Sequence, residues 1–169
     1  MPLQWRLFRL ICVLQILLTL SESGISTIWI FISGNPVYYL FNAAAFIFIL
    51  LLANLGLNIV NNNYPDDPIV DVQKNRFNWL FLINFLLLAF SSGHLIAQYR
   101  AVYSIYSFTH TFWKLPGSIL LPFFMYLFIF IFHIIILYGL FFLRKLIYSN
   151  YLQKKFEFES AGQYSKRNL

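Results

Sequence analysis

Two ionisable side chains lie inside long apolar runs of this sequence. Glu22 sits in the run of residues 10–32, where hydroxyl-bearing residues surround it, and His133 sits in the run of residues 118–143. A carboxylic acid that faces an imidazole can exchange a proton with it or form an ion pair. The first chemistry this sequence suggests is therefore proton handling, and the alternative is a polar contact that holds two segments together.

The composition indicates an environment of lipid. Of 169 residues, 60% are hydrophobic, 21% are aromatic and 11% are charged, whereas a soluble domain has about 25% charged residues. The 12 basic and 6 acidic residues are too few to cover a soluble surface. The net charge of +6 comes from basic residues at the ends of apolar runs and in the tail, a pattern that indicates membrane topology and not nucleic-acid binding.

Four runs are long enough to cross a bilayer, which takes about 20 apolar residues in a helix. They cover approximately residues 10–32, 38–60, 79–97 and 118–143. The runs are continuous and do not alternate, which favours helices over barrel strands. The sequence predicts an all-α integral membrane protein with four transmembrane helices in an antiparallel bundle, in which residues 1–148 form the membrane domain and residues 149–169 a polar cytoplasmic tail.

The first run also has features of a signal peptide. Arg6 and Arg9 precede a short apolar core, and Ser21 and Ser23 are small residues at plausible cleavage positions. Apolar sequence resumes at once in residues 25–32. The run is therefore interpreted as a membrane span.

The connections differ in character. Residues 33–36, Ser-Gly-Asn-Pro, predict a tight turn and an antiparallel hairpin. Residues 61–68 form a polar loop with two prolines, after which Asp71 can cap the next helix. In residues 101–113, apolar side chains recur near helical spacing, which predicts a short interfacial helix between spans three and four.

Basic residues indicate the orientation. With both termini inside, only Arg100 and Lys114 lie outside. The cytoplasmic basic residues are then Arg6, Arg9, Lys74, Arg76, Arg144, Lys145, Lys154, Lys155, Lys166 and Arg167. We expect both termini to be cytoplasmic, in a bacterial-type inner (plasma) membrane, with an organellar inner membrane as the alternative.

Counting residues along the spans places Glu22 and His133 at one level. Glu22 lies about 18 Å and His133 about 16 Å from the same membrane boundary, at 1.5 Å per helical residue. This predicts a Glu22–His133 pair. Gln15 and Ser26 share a helical stripe with the acid, although hydroxyl groups in membrane helices often bond only to their own backbone.

Other polar residues predict further contacts. Asn54 and Asn84 lie at one depth on spans two and three, so their amides can meet. An outer-side polar patch and a set of residues that bind anionic headgroups are also expected. The patch comprises Ser91, Ser92, His94 and Arg100, and the headgroup-binding set comprises Arg144, Lys145, Lys154 and Lys155.

The remaining chemistry is limited. Cys12 is the one cysteine, the three histidines lack ligand spacing, and the common catalytic and nucleotide-binding motifs are missing from the sequence. We therefore expect neither a metal nor a cofactor, and lean against an enzyme. The favoured function is a small integral subunit or scaffold that packs against other membrane proteins or copies of itself. The alternatives are proton or ion translocation through Glu22, and a weaker one, an enzyme acting on a lipid-like substrate with His94, Arg100 and His110.

Overall fold

The computed structural model describes residues 1–109, 111 and 116–167. It consists of four helices: α1 (Leu3–Ile32), α2 (Pro36–Asn62), α3 (Asp71–Thr109) and α4 (Gly117–Arg167). The chain is 90% helix, and the described residues contain no strand. Each helix is long and apolar enough to cross a membrane. The predicted number and type of spanning elements are confirmed.

A tight turn joins α1 and α2. The side chain of Asn35 accepts a hydrogen bond of 3.3 Å from the backbone amide of Tyr38, and Pro36 occupies the start of the helix. An amide cap followed by proline suits a helix start, because proline has no amide hydrogen to leave unbonded and its φ angle is already helical. The predicted hairpin turn is thus confirmed.

The apolar core is built mainly from residues of α1, α2 and α4. Cys12, Leu52 and Ala53 are fully buried. At Gly56, an added Cβ would lie 3.2 Å from the Cys12 sulfur, so glycine allows the two helices to approach closely. Small residues at this contact let the backbones pack together, as is common in membrane helices.

Helices α3 and α4 are much less covered. Within their apolar segments, 11% of residues in α3 and 17% in α4 are buried, compared with 50% in α2. Many apolar side chains of these two helices are therefore exposed or only partly buried, and the exposed ones face lipid or another protein.

The loop between α2 and α3 is attached to α4. The ammonium of Lys154 lies 2.5 Å from a carboxylate oxygen of Asp66, and the amide of Asn150 donates to the carbonyl of Pro65 at 2.9 Å. These contacts hold the loop against the part of α4 that follows the predicted membrane span.

Two helices extend beyond the predicted boundaries. Residues 101–109 are the last turns of α3, because residues 98–109 contain neither glycine nor proline to end it. The rest of the predicted interfacial segment is residues 110–113, of which 110, 112 and 113 lie outside the described residues. His110 and Lys114 are therefore not described. Helix α4 continues past the predicted boundary at residue 148. The interfacial position, the tail's location and the orientation stay predictions.

Candidate functional site

Each of the four helices contributes one residue to an internal polar cluster. We call Glu22, Asn42, His94 and Tyr126 the four-helix cluster. The Tyr126 hydroxyl donates a hydrogen bond of 2.8 Å to the Glu22 carboxylate. On the neighbouring helices, His94 Nε2 lies 3.3 Å from Asn42 Oδ1. These two polar contacts therefore connect α1 with α4 and α2 with α3.

An aromatic stack joins the two contacts. The rings of His94 and Tyr126 are nearly parallel, with an interplanar angle of 8° and a centroid separation of 5.1 Å. Phe90 packs edge-on against the imidazole at 4.5 Å. Stacking of this kind stabilises ring orientation as well as burying apolar area. The cluster is thus a single connected unit across the bundle.

Helix α1 presents one polar stripe to the interior. Glu22 is 7% exposed, and Gln15, Thr19 and Ser26 are also buried. Their spacings of four, three and four residues place them on one helical face. The Thr19 hydroxyl donates to the Gln15 carbonyl at 2.7 Å. It therefore bonds to the backbone of its own helix, as hydroxyl groups in membrane helices often do.

The predicted direct pairing of Glu22 with His133 is corrected by the geometry. Among the described residues, Glu22 bonds to Tyr126, whereas His133 Nδ1 lies 3.4 Å from the Ser91 hydroxyl. Tyr126 precedes His133 by seven residues, which is two turns or about 10 Å along α4. Counting residues therefore did not identify the side chain that lies opposite the acid.

The predicted contact between Asn54 and Asn84 is likewise replaced. Asn84 donates to the Phe48 carbonyl of α2 at 3.1 Å and to Leu80 of its own helix at 2.8 Å. Asn54 is exposed, and no bond to Asn84 occurs within the described part of the chain. Asn84 still connects α2 and α3, but through the backbone. On the other side of the bundle, Gln15 Nε2 donates to the carbonyl of Ile129 at 3.3 Å.

The predicted outer-side patch divides between the interior and the surface. Ser91 and His94 turn inward, toward His133 and Asn42. Ser92 bonds to a carbonyl of its own helix, and Arg100 is exposed. Its four residues therefore do not all face one surface.

The four predicted headgroup-binding residues have different surroundings. Arg144 donates to Asn78 at 2.8 Å and lies 4.9 Å from the Phe77 ring centroid. Lys154 is paired with Asp66 and Lys155 lies 3.8 Å from Glu159, whereas Lys145 is exposed. Binding of headgroups by these residues stays a prediction.

Two members of the four-helix cluster were missed from the sequence. Tyr126 lies in a run of aromatic and aliphatic residues, where its phenol resembles one more apolar ring. Asn42 was the more visible signal, because it is an amide among the apolar and aromatic residues of the first two turns of α2. An amide there indicates a partner on a neighbouring helix.

The arrangement forms internal hydrogen bonds, and a proton can pass between the Tyr126 phenol and the Glu22 carboxylate, which lie within hydrogen-bond distance. Among the residues that the structure describes, no three His, Cys, Asp or Glu side chains form a group that could hold a metal ion. Two cavities, of about 450 Å³ between α1 and α4 and about 640 Å³ between α2 and α3, lie elsewhere, and Glu22 lines neither.

Four apolar helices of membrane-spanning length, connected by buried polar contacts, define this chain as an α-helical integral membrane protein. Comparisons with protein-family models, with curated proteins and with solved structures find no match to it.

Proposed function

We propose that this chain is a small integral membrane subunit or scaffold, which packs against other membrane proteins or copies of itself. The observation that carries the proposal is the low burial of α3 and α4, at 11% and 17% of their apolar segments. In a membrane, exposed apolar faces contact either lipid or another protein, and close packing with a partner adds van der Waals contacts. The exposed faces of α3 and α4 can therefore contact another membrane protein or a second copy of this chain.

Two exposed glycines support close packing with another helix. A Cβ added at Gly24 or at Gly93 would meet nothing within 4 Å. The neighbouring hydroxyls Ser21 and Ser92 bond only to their own helices. Glycine and serine on an outer face let a second backbone approach, as in interfaces between membrane helices.

The four-helix cluster fits a structural role in this proposal. Glu22 is engaged inside the chain by Tyr126, and the two cavities do not reach it. An acid that is bonded in this way holds α1 to α4. The proposed setting is a bacterial-type plasma membrane with both termini cytoplasmic, since basic residues concentrate at that end.

Assembly in native lipid tests the proposal. The full chain would be extracted from its own membrane into lipid nanodiscs, and its particle mass compared with Gly24→Leu and Gly93→Leu variants. Ala44→Leu is the matched control, since Ala44 is exposed on α2. We expect a complex larger than one chain, weakened by at least one glycine variant and retained by the control. A single chain per particle in the wild type would contradict the proposal.

Proton or ion translocation is the second candidate, and the buried Glu22 carboxylate with its hydrogen bond from Tyr126 favours it. The groups would be those of the four-helix cluster, with Glu22 as the proton-binding site. Purified protein in liposomes with an internal pH-sensitive dye tests this, because Glu22→Gln should abolish flux and leave assembly unchanged. Wild-type flux equal to that of empty liposomes would exclude a proton pathway through this chain alone.

A further inference from the structure

A groove between α2 and α3 has one polar end and one apolar end. Its volume is about 640 Å³. Asn58, Asn75 and Arg76 line it near the α2–α3 loop, and Phe48 and Ile83 line it further into the bundle. The bond of 3.1 Å from Asn84 to the Phe48 carbonyl joins the two helices at the apolar end.

The groove runs along the helices. Phe48 and Asn58 are ten residues apart on α2, or about 15 Å at the helical rise. The opposite wall on α3 runs antiparallel from Val72 to Ile83, so polarity falls in the same direction on both walls. A ligand that fills this length must be about 15 Å long, polar at one end and apolar at the other.

Polar groups in the groove have no protein partner within the described ranges. Asn54 and Asn58 lie one turn apart and are exposed, and none of the hydrogen bonds described there involves their amides. Arg76 is exposed and forms no ion pair with the described residues, whereas nearby Lys74 is paired with Asp71 at 2.8 Å. Asn54 lies about 9 Å inside the end of the predicted span at residue 60. Its amide needs a bonding partner there, because hydrocarbon supplies none.

We propose that this groove binds one anionic phospholipid. Its phosphate contacts the Arg76 guanidinium with help from Asn75, its glycerol and ester oxygens accept from Asn58 and Asn54, and one acyl chain lies against Phe48 and the other apolar side chains. Guanidinium groups match phosphate oxygens in geometry and charge. The site does not depend on whether the chain is a subunit.

The charge of the groove selects the headgroup. No residue that lines it is acidic, and Arg76 gives it a single positive charge. A zwitterionic lipid would bring a cationic group toward that arginine, whereas an anionic lipid would not. Trp79 also lines the groove and is 68% exposed, in keeping with the preference of tryptophan for the headgroup region.

Lipid retention measured by native mass spectrometry tests the site. The full chain would be released from micelles containing equal amounts of phosphatidylglycerol and phosphatidylcholine. We expect one retained phosphatidylglycerol per chain, with affinity lowered about fivefold in Arg76→Gln, the effect of removing one interfacial basic residue. Arg6→Gln is the matched control, because Arg6 is exposed on α1 at the same end and lines neither cavity.

A second variant examines the apolar end without changing charge. Ile83→Trp should fill the groove beside Phe48 and also reduce lipid retention, while a thermal unfolding scan confirms that each variant is folded. Equal retention of both lipids, or an Arg76→Gln variant that retains lipid like wild type, would overturn the proposal. So would displacement of the lipid by soluble glycerol phosphate.

Discussion

The hydroxyl of Tyr126 lies 2.8 Å from the carboxylate of Glu22, so that α4 donates a hydrogen bond to α1 inside the apolar region. This contact spans 104 residues of sequence, and together with the bond from Gln15 to the Ile129 carbonyl it joins α1 to α4. The orientation of α4 in the bundle therefore depends partly on one phenol.

The Tyr126–Glu22 contact should show energetic coupling. Tyr126→Phe and Glu22→Leu each remove one partner, and we expect their effects on the free energy of unfolding to be non-additive by about 1 kcal/mol, as for interhelical hydrogen bonds in membranes. Unfolding by a denaturing detergent, measured for both single variants and the double variant, checks this. Additive effects would show that the hydrogen bond contributes little in the membrane.

Adding a methyl group at Gly139 should lower the stability of the fold. A Cβ there would overlap a ring carbon of Phe8, which is 4% exposed. We expect Gly139→Ala to lower the free energy of unfolding by about 1–3 kcal/mol, the usual cost of overpacking. The same denaturation assay measures it.

Gly93→Ala, measured on single chains in detergent where no partner helix is present, is the control for that prediction. Gly93 has open space around its Cβ position, so alanine there should be neutral or slightly stabilising, because alanine is the better helix former. Equal destabilisation by the two substitutions would mean that the Phe8 contact with α4 is not formed in the membrane.

Asn84 should contribute more to stability than Asn54. Asn84 is fully buried and bonds to the Phe48 carbonyl, whereas Asn54 is exposed. Asn84→Ala should cost about 1 kcal/mol, and Asn54→Ala should leave the free energy of unfolding almost unchanged in zwitterionic lipid. If Asn54→Ala were the more damaging of the two, the packing of α2 on α3 would need revision.

The ion pair of Lys154 with Asp66 should hold the α2–α3 loop in a salt-dependent way. Its side chains are 70% and 22% exposed, so dissolved ions screen the attraction. Hydrogen exchange of residues 63–70 should accelerate at high salt and in Lys154→Glu. A double variant, Asp66→Lys with Lys154→Glu, should restore protection, and failure of this charge reversal would argue against a direct pair.

Run length and hydropathy predicted four helices, because crossing a bilayer sets a minimum length that any apolar helix of this kind must meet. They did not predict where the helices end. Residues 98–109 and 144–159 are too polar to count as membrane span, but contain no glycine or proline, so α3 and α4 continue through them.

The polar stripe of α1 was also predictable, because residue spacing determines which side chains share a helical face. The partner of Glu22 was not. Residue counts place His133 near the acid in depth, but how α4 is rotated and shifted against α1 depends on packing across the whole interface. Tyr126 therefore occupies the position that the count assigned to His133.

Helix α4 spans 51 residues without interruption, or about 77 Å at the helical rise, much more than a bilayer is thick. A helical carrier protein joined in frame shortly after Lys155 would inherit the direction of α4. Such a fusion would give this 20.0 kDa chain the rigid external marker that single-particle imaging of so small a membrane protein requires.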